Sequence, residues 1–198
     1  MERTKGVNFI PTILTNDPSM TAWGWAVLDY KGNILKTGCI KTVTEGKKRR
    51  IRKSDETAQR ISEINNILLG LIKRYNVRYI LSEAPHGSQN ASAAVMVGAV
   101  NAIVQTISDC LDIGVEWYSE GDSKKCLLGR ISATKIETML AIDKLYKVPV
   151  TKGISKNRKG EICALWSGVE YIDEAVADAL SIHYVATKQS PTLKMMKK

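Results

Sequence analysis

The order of apolar segments along the chain constrains its fold more than any other feature. Three segments suited to β-strands, 11–16, 22–29 and 33–41, follow one another in the first quarter of the sequence. Asp29-Tyr30-Lys31-Gly32-Asn33 has the residue types of a hairpin turn. The first three strands are therefore predicted to pair in antiparallel fashion.

The rest of the chain alternates helices with strands. Apolar residues at helical spacing and apolar runs predict helices at about 54–75, 90–110, 132–146 and 173–187, and strands at 77–82 and 114–118. Strands separated by helices pair in parallel through right-handed crossovers. The predicted fold class is α/β, a mixed five-stranded sheet of three antiparallel and then parallel strands, flanked by helices.

The length and composition favour one domain covering residues 1–198, because the sequence shows no internal repeat and no second-domain boundary. Residues 1–8 are expected to form a flexible arm, and residues 190–198 a basic, disordered tail. The segment 147–172, rich in glycine and lysine, is predicted to be a mobile loop.

The charge balance points to a polyanionic partner. The formal net charge is +9 and the pI is about 9.4, which favours nucleic acid ahead of an anionic membrane surface. A merely soluble basic protein is the alternative. The densest basic run contains Lys47, Lys48, Arg49, Arg50 and Arg52. It is predicted to bind DNA phosphates, and the alternative is a loop that is only solvated.

Cysteine usage and hydropathy bear on location. The four cysteines are scattered without a CxxC or Cys/His pair, which argues against structural zinc and favours reduced thiols in the cytoplasm. No signal peptide is recognised at the N-terminus. The uncharged stretch 84–108 is interrupted by polar residues, so it is predicted not to span a membrane. We expect a cytoplasmic protein of a bacterial or phage-infected cell.

Carboxylates occur where predicted elements reach the edge of the core. Asp17 ends the first strand, Glu83 follows the strand 77–82, and Glu174 and Asp178 are four residues apart on one side of the last helix. Open α/β sheets bind ligands at strand ends. Singly, Asp17 could start a turn with Pro18, Glu83 could pair with a lysine, and the helical pair could be a solvated face. Together they suit Mg²⁺ or Mn²⁺, two of which can promote phosphodiester hydrolysis.

Several short motifs in series resemble one family. They are Asp17-Pro18-Ser19 with Thr21, Gly24-Trp25-Ala26-Val27, Ser82-Glu83-Ala84, and Glu174 with Ala177-Asp178-Ala179-Leu180. In this order they resemble the RuvC-type Holliday junction resolvases, divergent and possibly of phage origin, over residues 11 to about 187. The resemblance implies a ribonuclease H-like fold and a homodimeric, Mg²⁺-dependent endonuclease of DNA recombination and repair. Such an enzyme nicks four-way DNA junctions symmetrically, and Mn²⁺ is expected to substitute for Mg²⁺.

The resemblance also implies roles for individual residues. Asp17, Glu83, Glu174 and Asp178 would be the metal ligands, and Lys135 would be catalytic by stabilising developing charge. Lys124 or Lys125 would contact DNA phosphate, with surface solvation as the alternative for each lysine. His86 could stack on a junction base, because the family often has an aromatic residue in this loop.

Two departures from the family leave alternatives open. The family's last acidic pair is usually Asp-Asp, three residues apart, whereas here Glu174 stands four before Asp178, so Asp173, otherwise the predicted helix N-cap, is an alternative ligand. Rival functions are another ribonuclease H-like nuclease acting on flaps or RNA–DNA hybrids, and a non-catalytic protein that binds branched DNA. A sugar-kinase-like ATPase is disfavoured because a second lobe is missing. The sequence leaves the cut-site preference undetermined.

Overall fold

The computed structural model describes residues 11–44, 51–84, 87, 90–146, 153–156, 162–166 and 171–196, and only the backbone at 153–156, 162–166 and 171–173. The N-terminal arm predicted at residues 1–8 lies outside the described residues.

The main sheet has five strands in the order β3-β2-β1-β4-β5. Their bounds are β1 Thr12–Asp17, β2 Ala22–Asp29, β3 Ile34–Lys41, β4 Val77–Ala84 and β5 Gly114–Ser119. β1 and β3 both pair antiparallel with β2, whereas β4 pairs parallel with β1 and with β5. The predicted mixed five-stranded sheet is therefore confirmed, including its strand directions.

Six helices occur in the described residues: α1 Lys53–Tyr75, α2 Ala91–Leu111, α3 Glu120–Leu128, α4 Lys135–Leu145, α5 Glu174–Gln189 and α6 Pro191–Met196. The predicted start of α4 near residue 132 was wrong by three residues. Thr134 and Glu137 form a reciprocal capping box that fixes the start at Lys135. The short helix α3 was not predicted from the sequence.

Two predicted irregular segments contain regular structure. The segment 147–172, predicted to be a mobile loop, contributes most of a second, antiparallel sheet, β6 Gly153–Lys156, β7 Ile162–Trp166 and β8 Tyr171–Asp173. The tail predicted to be disordered forms α6. The Ser190 hydroxyl caps this helix by accepting a hydrogen bond from the Leu193 amide at 3.0 Å, and Leu193 is only 2% exposed.

Helices cover both faces of the main sheet. On one face, α1 and α2 bury residues such as Ile64, Leu68 and Val104 against the strands. On the other face, α5 packs Val176 and Leu180 onto the sheet. Because α5 is buried on nearly every side, its position relative to the strands is fixed by packing.

The long apolar helix α2 leaves much of its surface outside the core. By length and composition alone α2 could cross a membrane, and 28% of its most apolar stretch is buried inside the chain. Val100, Ile103, Val104 and Ile107 nevertheless pack in the core cluster beside the sheet. This packing favours a core helix with an additional, apolar outer face.

The strand registers bring several chain segments to one edge of the sheet. Asp17, Ala84 and Ser119 are the last residues of the neighbouring strands β1, β4 and β5. β3 also ends at this edge because it is antiparallel to β2. We call this the carboxyl edge, and α1, α2 and α3 all begin close to it because each follows a strand that ends there.

Candidate active site

Asp17 lies at the carboxyl edge, under helix α5. Side chains alternate between the faces of a strand, so Thr15 and Asp17 point to the same face. The buried Thr15 hydroxyl donates a hydrogen bond of 2.5 Å to the Ala179 carbonyl of α5. The α5 helix therefore crosses β1 on the face that carries Asp17.

Gly24 allows the first turn of α5 to approach the sheet beside Asp17. It is the register partner of Asp17 on β2. A Cβ at this position would lie 2.0 Å from the Ala175 carbonyl oxygen and 2.8 Å from the Ala175 Cβ. The contacts at Ala175 and Ala179 fix the turn of α5 between them, which carries Asp178, over the end of β1.

Glu83 reaches the same place from β4. Asn16 of β1 is paired with Ser82 of β4 in parallel, so Glu83 stands beside Asp17 at the carboxyl edge. Both side chains are partly exposed, unlike the fully buried residues that precede them. Three carboxylates, from β1, β4 and α5, thus meet at one end of the sheet.

The carboxylates at the carboxyl edge shift one another's pKa values. Burial raises the pKa of Asp17 well above its ordinary value, and the charges of Glu83 and Asp178 raise this pKa further. Burial, then the charge of Asp178, then that of Glu120, raises the pKa of Glu83 to about 8. Like charges therefore repel one another in a partly desolvated cleft.

Lys135 and Glu174 form an ion pair at the margin of this cleft. The Lys135 ammonium contacts the Glu174 carboxylate and also lowers the pKa of Asp17. Lys135 therefore lies beside the cleft, and its catalytic role stays a prediction. Glu174 is not among the main charges that act on the described side chains of Asp17 and Glu83, so its role as fourth ligand stays a prediction. The alternative ligand, Asp173, is described only by its backbone.

The carboxylates do not yet form a compact metal-binding group. Within the described part of the chain, no three His, Cys, Asp or Glu side chains are grouped closely enough to hold an ion as they stand. Mutual repulsion between Asp17, Glu83 and Asp178 is a physical reason for this separation. Their oxygen atoms nevertheless belong to the ligand class that hard divalent cations prefer.

The predicted DNA-binding residues fall into three groups. Lys124 lies at the site, because its charge lowers the pKa of Glu83, whereas the neighbouring Lys125 is exposed. Arg52 immediately precedes α1 and pairs with Asp55 at 2.8 Å. The remaining residues lie outside the described part of the chain: Lys47, Lys48, Arg49, Arg50 and His86.

Glu120 is a site residue that the sequence reasoning missed. It is the first residue of α3, directly after β5, and its charge raises the pKa of both Asp17 and Glu83. An acid immediately after an apolar strand was the signal used for Asp17 and Glu83. A similar signal, with Ser119 between the predicted strand 114–118 and the acid, would have identified Glu120.

Comparisons with known proteins identify the family of this chain. The family model described as crossover junction endodeoxyribonuclease RuvC matches residues 13–156. The RuvC of Parvibaculum lavamentivorans is 27% identical over 134 residues, 68% of this chain and 73% of that protein. The RuvC of Rickettsia bellii is 24% identical over 156 residues, 77% of this chain and 92% of that protein.

Solved structures show the same fold. Thermus thermophilus RuvC in complex with a Holliday junction substrate superposes with a TM-score of 0.65 at 18% identity, covering 89% of this chain and 93% of that one. The yeast mitochondrial Holliday junction resolvase Ydc2 gives a TM-score of 0.57 at 13% identity, covering 98% of this chain and 86% of that one. The ribonuclease H-like fold implied by the resemblance is confirmed. This chain belongs to the RuvC family of crossover junction endodeoxyribonucleases.

Proposed function

We propose that Asp17, Glu83 and Asp178, with Glu174 as fourth ligand, hold Mg²⁺ at the carboxyl edge for hydrolysis of DNA phosphodiester bonds in four-way junctions. The supporting observation is the convergence of three acids from β1, β4 and α5, in which the charge of Asp178 acts on both Asp17 and Glu83. Mn²⁺ is expected to replace Mg²⁺, since both prefer oxygen ligands.

A divalent cation would stabilise the arrangement of the carboxylates. Burial, and after it repulsion from Asp178 and Glu120, raises the pKa of Glu83 to about 8, and a cation between the carboxylates would relieve the repulsion. A bound divalent ion supplies a water of lowered pKa and stabilises negative charge on the leaving oxygen. The side chains of Asp17, Glu83 and Asp178 form no compact group in the described structure. They must therefore move closer to one another to bind the ion.

Basic groups around the cleft can hold the DNA backbone. Lys135 lies close enough to Asp17 to lower the pKa of that side chain, which suits a role in stabilising charge on the scissile phosphate. Of the two candidate phosphate contacts we favour Lys124 over Lys125, because Lys124 acts on Glu83. Arg52 can contact phosphates farther from the cut, and contacts of this kind weaken as salt rises.

The exposed face of α2 is proposed as the homodimer interface. Val95 is 64% exposed, and Leu69 of α1 and Leu111 of α2 are each 41% exposed. These two leucines line an apolar groove of about 660 Å³ between α1 and α2. A two-fold dimer through this face would present two equivalent sites to the two equivalent strands of a junction, which accounts for symmetric nicking.

The test of the proposed activity is Asp17→Asn, assayed on a synthetic four-way junction with and without Mg²⁺. We expect the variant to lose cleavage, with 5′-phosphate products absent, and to bind the junction as tightly as the wild type. Glu63→Gln, an exposed change on α1, which packs on the other face of the sheet from α5, is the charge-matched control and should cleave normally. Cleavage by Asp17→Asn at the wild-type rate would refute the assignment.

Substrate choice and the dimer need separate measurements. Faster cleavage of flaps or RNA–DNA hybrids than of junctions would favour another nuclease activity, and binding without cleavage would favour a non-catalytic protein. Val95→Glu should give monomers in light-scattering measurements, whereas Leu140→Glu, on the 48% exposed residue of α4, should not. A cytoplasmic location in a bacterial or phage-infected cell stays a prediction.

A further inference from the structure

Glu120 and Lys124 form an ion pair at the carboxyl edge. They are four residues apart on α3, and the Lys124 ammonium contacts the Glu120 carboxylate. A Glu that precedes a Lys by four residues is the favourable order for a helical pair. The Lys124 side chain is only 14% exposed, and that of Glu120 is 41% exposed, so the lysine is held in a largely dehydrated setting.

The pair lies next to the proposed metal ligands rather than on a remote surface. Ala84, which follows Glu83, is in register with Ser119, which precedes Glu120. The charge of Lys124 also lowers the pKa of Glu83. The ammonium is therefore directed toward the strand end that carries Glu83.

Capping of α3 does not explain the Glu120 carboxylate. Ser119 already caps the helix, because its hydroxyl accepts a hydrogen bond of 3.0 Å from the Asp122 amide. Glu120 instead adds negative charge to a place where Asp17 and Glu83 already repel each other. Its contact with Lys124 is a favourable interaction that offsets this repulsion.

We propose that Glu120 is a positioning residue, which holds the Lys124 ammonium beside Glu83 before the DNA arrives. The proposal rests on the proposed function, since it takes Lys124 as a contact of the DNA phosphate. A free lysine side chain has many rotamers and loses this freedom on binding. An ammonium that is already oriented needs less reorganisation when charge develops on the phosphate.

The experiment compares Glu120→Gln, Lys124→Met and the double variant in single-turnover cleavage of a four-way junction. Glu120→Gln should lower the rate by about tenfold. Two quantities should stay within about twofold of their wild-type values. They are the Kd for the junction without metal and the Mg²⁺ concentration that gives half-maximal rate. The double variant should be no slower than Lys124→Met, because Glu120 acts through Lys124. Glu63→Gln, which makes the same substitution at an exposed position of α1, should match the wild type.

Three results would overturn the proposal. An unchanged or faster rate for Glu120→Gln would show that the carboxylate does not orient Lys124 productively. A Mg²⁺ requirement raised by more than about threefold would make Glu120 a metal ligand instead. Additive losses in the double variant would show that Glu120 acts independently of Lys124.

A readout without cleavage separates this proposal from the proposed function. NMR of the lysine side chains in the metal-free protein should show an ordered Lys124 in the wild type and a mobile Lys124 in Glu120→Gln. Equal mobility in the two proteins would reject the positioning role even if the wild type cleaves junctions. A wild type that shows an ordered Lys124 but never cleaves would reject the proposed function alone.

Discussion

Gly24→Ala tests whether the close approach of α5 to the sheet assembles the active site. The new Cβ would lie 2.0 Å from the Ala175 carbonyl oxygen, whereas ordinary contacts begin at 3.4 Å. The new Cβ and the Ala175 carbonyl oxygen are both fixed by the backbone, so rotation of a side chain cannot relieve the clash. The amino-terminal turn of α5 must therefore retreat from β2 by about 1.4 Å.

Two consequences of different size are expected. Overpacking of this kind costs about 1–3 kcal/mol of the free energy of unfolding, which corresponds to a fall in Tm of about 2–12 °C for a chain of this length. Asp178 moves with the helix, away from Asp17 and Glu83. Because a misplacement of about 1 Å can slow catalysis by about 100-fold, cleavage should fall by that order while most of the protein stays folded.

The assay is single-turnover junction cleavage in Mg²⁺ at a temperature where thermal melting shows both proteins folded, together with junction binding in EDTA. Gly70→Ala is the matched control. Gly70 lies within α1, and a Cβ there would meet nothing within 4 Å, so this change should stabilise the helix by about 0.5–1 kcal/mol and leave cleavage unaltered. Wild-type cleavage and Tm in Gly24→Ala would refute the inferred packing of α5 against β2.

Three further outcomes are expected. Without metal, the pKa of Glu83 is about 8 in the folded state, against 4.5 for an ordinary Glu. Between these pH values the folded state binds more protons than the unfolded chain, so Tm should fall as pH rises. Glu83→Gln should flatten that dependence, and a Tm that rises with pH would contradict it. Thr15→Val removes the buried hydrogen bond to Ala179 and should lower the free energy of unfolding by about 1 kcal/mol in urea titrations, with Thr15→Ser close to wild type. Leu193→Ala should cost about 2–4 kcal/mol in the same titrations, because Leu193 is 2% exposed, whereas a disordered tail would show no change.

The strands of the main sheet were predictable because their signals are local. The hairpin residues Asp29 to Asn33 and the apolar runs before Asp17 and Glu83 each depend on a few neighbouring residues. Strand direction followed from the connections, since hairpins give antiparallel pairs and helical crossovers give parallel ones. The resulting edge, where Asp17 and Glu83 meet, could therefore be inferred without coordinates.

Signals that are short or spread along the chain were harder to recognise. The helix α3 has only nine residues, too few for apolar periodicity to stand out. The helix α6 depends on the capping residue Ser190 and on burial of Leu193 against α5, a tertiary contact. The strands of the second sheet, such as Ile162–Trp166, are short and lie among glycine and lysine residues. The local sequence there is therefore typical of a loop.

The sequence alone determined the strand directions, the basic character, and which acids stand at the ends of elements, because each of these depends on residue type, spacing and the type of connection. Only the tertiary structure decided which charges act on one another. Gly24 brings α5 close enough for Asp178 to affect Asp17, and the register of β5 beside β4 adds Glu120 to the cleft. These are distances between segments remote in the chain, and they are set by the packing of helices on the sheet.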